Sequence, residues 1–199
     1  MIAILAVVLA FQFTGGDDNS SDRVTGSTPN ESQLIGLQTG DAPWNPGLDH
    51  LTDRLKPVGV SALGSEGTVE HIHQHLDIFV NGKHVTVPAL IGIYDSQYIT
   101  ELHTHDTSGV MHVEAPTKRN FTLGQFFGVW GVRFTPSCLG AYCNEGNNRL
   151  QVFVDGDEVT DNPQDVQLDD QTVIVVTYGT AAELPDPIPS TFDFSSINP

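Results

Sequence analysis

The segment His71–Val80 (HIHQHLDIFV) alternates: Ile72, Leu76, Ile78 and Val80 take even positions, while His71, His73, His75 and Asp77 take odd ones. Alternate residues of an extended chain point to opposite faces, so this is a strand with one core face and one face carrying three imidazoles. Asn81-Gly82 follows, the dipeptide favoured by two-residue hairpin turns, and His84–Val87 runs back.

A second hairpin is expected from ITELHTH, the turn Asp106–Gly109, and VMHVE. With a four-residue turn, His105 faces Val110, Thr104 faces Met111 and His103 faces His112. Glu101, His103, His105, His112 and Glu114 then share a face, and Leu102, Met111 and Val113 supply the core side.

Between Phe121 and Gly131 the pattern changes to a helix: Leu123, Phe126, Phe127 and Trp130 fall at i, i+3, i+4 and i+7, and Thr122 with Gln125 forms a capping box. Its Gly124 and Gly128 suggest close approach to the sheet. Such an aromatic stripe is core. Leu48, Leu51 and Leu55 predict an amphipathic turn or two stopped by Pro57. Arg149–Thr160 and Thr172–Gly179 read as further strand regions. The first repeats the earlier hairpin around Asp155-Gly156 but carries Glu145, Asn147 and Arg149 where the first copy has His71, His73 and His75. The imidazoles are therefore an addition to one copy. Hairpins, one helix and further strands predict an α+β fold, a mainly antiparallel sheet with the helix across one face in a β-grasp-like arrangement.

The chain has 199 residues, a length suited to one domain with tails, and a formal net charge of −17. That charge excludes the nucleic-acid backbone as a partner and draws cations to the surface. The domain is expected over residues 47–180. Residues 1–13 contain an apolar run that suits a signal peptide or a truncated membrane anchor and is too short to cross a bilayer as a helix. Residues 14–46, rich in Gly, Ser, Thr, Asn, Asp and Pro, read as a flexible tether, and 181–199 as a flexible acidic tail containing proline. Cys138 and Cys143 in CLGAYC suit a disulfide in an exported protein, against the competing reading of metal ligation by Cys-x4-Cys.

Six of the eight histidines fall in two groups, His71/His73/His75 and His103/His105/His112. Residues i and i+2 of a strand lie about 6.6 Å apart on one side, and opposed Cβ atoms about 4.5–5.5 Å apart, so their imidazoles can converge on one ion. Clustered imidazoles without an ion would repel when protonated and leave nitrogens unsatisfied when neutral and buried. These six are the expected ligands. Asp77, Glu101, Asp106 and Glu114 are expected as outer partners of the ligands or as surface charges. His50 and His84 read as spectators.

The runs EGTVEHIHQHLDIFVNGKHVTVPALIGI, ELHTHDTSGVMHVEAP, FTLGQFFGVWGVRF and VFVDGDEV…VIVVTYG are similar to those of a group of uncharacterised exported, His-rich proteins of actinobacteria and related prokaryotes. These carry an HxHxHL…HTHD-x-SG-x-xHVE…FTLGQ pattern. The resemblance covers residues 47–180 and implies the domain boundaries and export. Cupin and blue-copper patterns do not fit, because Asp77 stands where a cupin has Glu and no Cys other than the pair lies near the histidines.

Three functions follow from the residues. The first is extracytoplasmic binding of a transition metal, copper or zinc, for scavenging, buffering or delivery. The second is a metal-dependent enzyme in which a three-His ion activates water, with Glu101, Asp106 or Glu114 as base. The third is a cell-surface module whose histidines respond to pH. No substrate pocket is defined by the sequence, which favours binding over catalysis, and no protein partner is indicated beyond anchoring at the membrane through the N-terminus.

Overall fold

The structure is a computed structural model describing residues 29–95 and 97–197, and the alternating segment forms the longest strand among them. The apolar run of residues 1–13 and the first half of the expected tether lie outside the described residues. Helix α1 (Leu51–Val58) comes first and ends at Gly59 in the left-handed region. Pro57 does not stop it: the residue sits inside the last turn, where its missing N–H costs one hydrogen bond near the helix end. A short strand β1 (Ala62–Leu63) precedes β2 (Glu70–Val80), which returns as β3 (Lys83–Val85) through Asn81 and Gly82, both at positive φ as a type I′ turn requires. Next come β4 (Ile93–Tyr94), β5 (Tyr98–Thr100), β6 (Leu102–His103) and β7 (Val110–Ala115). Helix α2 (Leu123–Trp130) follows, with both hydrogen bonds of its Thr122–Gln125 capping box formed.

After α2 the chain makes a small hairpin, β8 (Cys138–Leu139) and β9 (Tyr142–Cys143), closed by a disulfide between its two cysteines. Three more strands complete the fold: β10 (Arg149–Val154), β11 (Asp157–Glu158) and β12 (Val173–Gly179). The turn from β10 to β11 uses Asp155 and Gly156 at positive φ, as the sequence echo predicts.

The main sheet runs β11-β10-β12-β2-β7-β6, with β3 beside the second half of β2. All its pairs are antiparallel except β12 with β2. One face packs Leu76, Ile78, Val113, Met111, Leu102, Ile174 and Val176 against the helices. Every residue of α2 is buried, and at about 1.5–3 kcal/mol for each large apolar side chain removed from water this helix anchors the fold.

Four expectations change here. A second helix, α1, is present and packs on α2. Gly124 and Gly128 do admit close neighbours, but not the sheet: a Cβ on Gly128 would stand 2.7 Å from Val58 of α1, and one on Gly124 2.8 Å from the Gln164 carbonyl. Residues 29–46 are not a tether. Trp44 is buried against Trp130 and Tyr142, Trp130 donates its indole N–H to the Asn45 carbonyl at 2.8 Å, and Gln38 bridges Val132. Nor is the segment after β12 a free tail. Leu184, Ile188, Phe192 and Phe194 pack on Phe79, Phe153, Val173 and Val175, making a second, smaller core on the opposite sheet face. In both segments the apolar residues are few, but each falls on a preformed apolar surface that composition alone does not reveal.

The disulfide excludes Cys138 and Cys143 as metal ligands. Closing so short a loop stabilises by about 2 kcal/mol in the chain-entropy picture. Unreduced protein should therefore take up no alkylating reagent and lose two mass units relative to the dithiol. Two alkylatable thiols in oxidised material would disprove the assignment.

Candidate metal centre

Strand pairing builds the site. His71 stands opposite Glu114 and His73 opposite His112 across β2–β7, while the other edge of β7 sets His112 opposite His103 of β6. Three adjacent strands thus carry the row His73–His112–His103. On the core face the matching row is Ile72–Val113–Leu102, so the shared core side forces both histidine groups onto the same opposite side. The expected register of His103 against His112 is the one observed.

Side chains then converge. The His112 ring lies 4.6 Å from that of His73, 5.2 Å from His103 and 4.5 Å from His105, centroid to centroid. His103, His105, His112 and Glu114 each bring one ligating atom within 4.8 Å of the others, and His71, His73 and Glu114 form a second such group. Glu114 belongs to both. Donors held at about 2.0–2.1 Å around a tetrahedral ion stand about 3.3 Å apart. The observed separations are close to that edge: 3.2 Å between His103 Nε2 and His105 Nε2, 3.2 Å from His112 Nδ1 to Glu114 Oε1, 3.8 Å from His103 Nε2 and 3.4 Å from His71 Nε2 to the same oxygen.

Backbone contacts orient the ligands. His103 donates its Nδ1–H to the Thr100 carbonyl at 2.9 Å, which leaves the Nε2 lone pair facing the other donors, the arrangement typical of a metal-bound imidazole. Its side chain is fully buried, and burial pushes its pKa down to about 4, against a smaller opposing effect of Glu114. His73 is likewise lowered to about 4, by burial first and then by His112 and His71. For Glu114 burial works upward, but the hydrogen bond with His112 and the charges of His103 and His71 outweigh it and hold the carboxyl below its ordinary value. Buried His73 Nε2 and Glu114 Oε2 have no hydrogen-bond partner.

Other expected residues lie elsewhere. His75 keeps the right face but leaves the cluster: its Nε2 is 2.9 Å from the Ser108 carbonyl and its ring stacks on Phe192 at 4.0 Å. Asp77 faces His75 and His84, at 3.6 and 3.1 Å, away from the cluster. The Glu101 carboxylate is held by Arg119 and the Ser61 N–H, because the chain bends between β5 and β6 and strand alternation fails there. Asp106 accepts from the Ser108 N–H at 2.8 Å, and the Ser108 hydrogen bonds hold its carboxyl below the ordinary range. Two of the three carboxylates expected as general base are therefore committed to structure. The third, Glu114, stands among the donors rather than outside them. Sequence reasoning missed Glu66, whose Oε1 is 3.5 Å from His105 Nε2; its place at the head of the EGTVEHIHQH run was the only signal.

No protein-family model, curated protein or solved structure matches the chain. Among the described residues no helix is long and apolar enough to cross a membrane.

Proposed function

We propose that this protein binds a transition metal, copper or zinc, outside the cytoplasm, for scavenging, buffering or delivery. The observation that carries this reading is the convergence of His103, His105, His112 and Glu114 within 4.8 Å on a three-stranded base. Three imidazoles and one carboxylate suit copper(II) or zinc, and intrinsic affinity favours copper at an unselective site. Burial holds His103 of this group, and His73 of the neighbouring group, neutral well below neutral pH, so an ion need not displace their protons. The disulfide supports an oxidising compartment. The net charge of −17 raises the local cation concentration.

The test is copper and zinc affinity at neutral pH, measured by competition with a chelator. Replacing His103 and His112 together by Ala should weaken binding ~100-fold or more, since removing an outer partner alone costs 10–100-fold. His105→Ala, at an exposed position, should weaken it without disturbing the fold. Wild-type protein that binds neither ion more tightly than the double variant would overturn the reading.

A further inference from the structure

We infer that the cluster seats two ions, with the Glu114 carboxylate shared between a His103–His105–His112 seat and a His71–His73 seat. The inference rests on the metal-binding reading above and extends it. A single ion accepts four ligands in the common zinc geometry, and the first group already supplies four. His71 and His73 are then surplus, yet they form a second group with the same carboxylate rather than pointing away.

Three further observations support a second seat. Oε1 of Glu114 approaches both sides, at 3.2 Å from His112 Nδ1 and 3.4 Å from His71 Nε2. Oε2 is buried with no partner, and so is His73 Nε2; each is a group that would ordinarily be satisfied in a folded protein. A carboxylate has about four lone-pair sites, enough for ligands on both sides. Strand register places Glu114 beside both groups: it lies directly opposite His71 and two residues from His112, itself directly opposite His73.

The two seats are unequal. The first has four protein donors. The second has two imidazoles and the shared carboxylate, leaving at least one position for water or a small oxygen-donor ligand. His71 stands at the rim with its side chain about one-third accessible, so solvent reaches the second seat there as it reaches the first at His105. With one protein donor fewer, the second seat is the weaker of the two.

Zinc content after dialysis against micromolar zinc should be two ions per chain in the wild type and one after His71→Ala plus His73→Ala. The wild type should lose its two zinc ions to a chelator in two phases, with affinities at least 10-fold apart. A second measurement needs no variant: titrating copper(II) into wild-type protein should give a mononuclear paramagnetic signal at the first equivalent and a coupled, weakened signal at the second, because ions in a bridged pair lie about 3.5–4 Å apart. One ion per chain in the wild type, or a second equivalent that adds an independent signal, would overturn the two-ion centre and leave the proposed function standing. No bound ion at all would overturn the proposed function itself.

Discussion

Replacing Arg54 by Met should be the most destabilising single substitution in the described chain. Arg54 is fully buried on α1, and its guanidinium donates to five backbone carbonyls: Gly128 at 3.0 Å, Val129 at 3.1 Å, Ile35 at 3.2 Å, Asp49 at 2.8 Å, and Gly47. Gly128 and Val129 lie in the last turn of α2, where carbonyls lack partners within the helix and a cation is favoured. The other three carbonyls belong to the segment that wraps the domain from residue 29. One side chain therefore clamps two helices and the N-terminal wrap. Gly131, the left-handed cap of α2, makes room for it, since a Cβ there would lie 2.6 Å from the guanidinium carbon.

Burial lowers the Arg54 pKa, with Asp53 and Asp49 acting the other way, and the group stays charged because Arg begins so far above neutrality. An unsatisfied buried acceptor costs about 1–3 kcal/mol, so a Met variant that leaves five of them should lose at least ~3 kcal/mol even after relaxation. That is a large share of the ~5–15 kcal/mol typical of a domain. Lys at this position keeps the charge but offers three donors in no fixed fork, and should recover part of the loss. Urea unfolding of the Met and Lys variants checks this. A Met variant whose midpoint equals that of the wild type would refute the clamp.

The second large effect is the pH dependence of the metal-free protein. His103 and His73 have folded pKa values of about 4, below the ordinary value of 6.5. Between those values the unfolded chain takes up protons that the folded chain refuses. Their contribution to stability is thus fully present above about pH 6.5 and drains away as pH falls towards 4. For His103, whose side chain is fully buried, the shift corresponds to roughly 3 kcal/mol. His73 is only half-buried and adds a smaller, solvent-screened share. Glu114, with its folded pKa lowered, extends the loss below the unfolded carboxylate range.

The unfolding free energy should consequently drop steeply between pH 6.5 and pH 4.5, and His103→Gln should flatten the slope. Equal slopes in the two proteins would remove His103 as the cause. An unperturbed imidazole would protonate as pH falls below about 6.5, and affinity would fall with it. These two donors stay neutral below that point, so they do not limit binding there.

The sequence showed the secondary structure of the site with little loss, and the reason is local. Alternation in HIHQHLDIFV, the Asn-Gly and Asp-Gly turns and the Thr122–Gln125 box all act within a few residues, where φ/ψ preferences and side-chain periodicity decide the outcome. The pairing of His103 with His112 was likewise readable, because a short turn sets its own register.

Alternation failed at Glu101, where a bend interrupts the strand, and His75 kept its face but was capped by Phe192 from the far end of the chain. Neither contact has a local signature.

What the amino-acid sequence determined by itself was therefore the side of the sheet on which each strand histidine of the two groups stands, since that depends only on the two-residue period of a strand. The order of strands not joined by a hairpin belongs to the tertiary structure. By pairing β2 with the free edge of β7, it added His73 to the His103–His112 pair and turned Glu114 from an outer partner into the carboxylate common to both groups. The physical reason is that strand order is settled by burying whole apolar faces against α2 and by pairing backbone N–H and C=O groups across the sheet, forces that sum over the domain and leave no mark at any single residue.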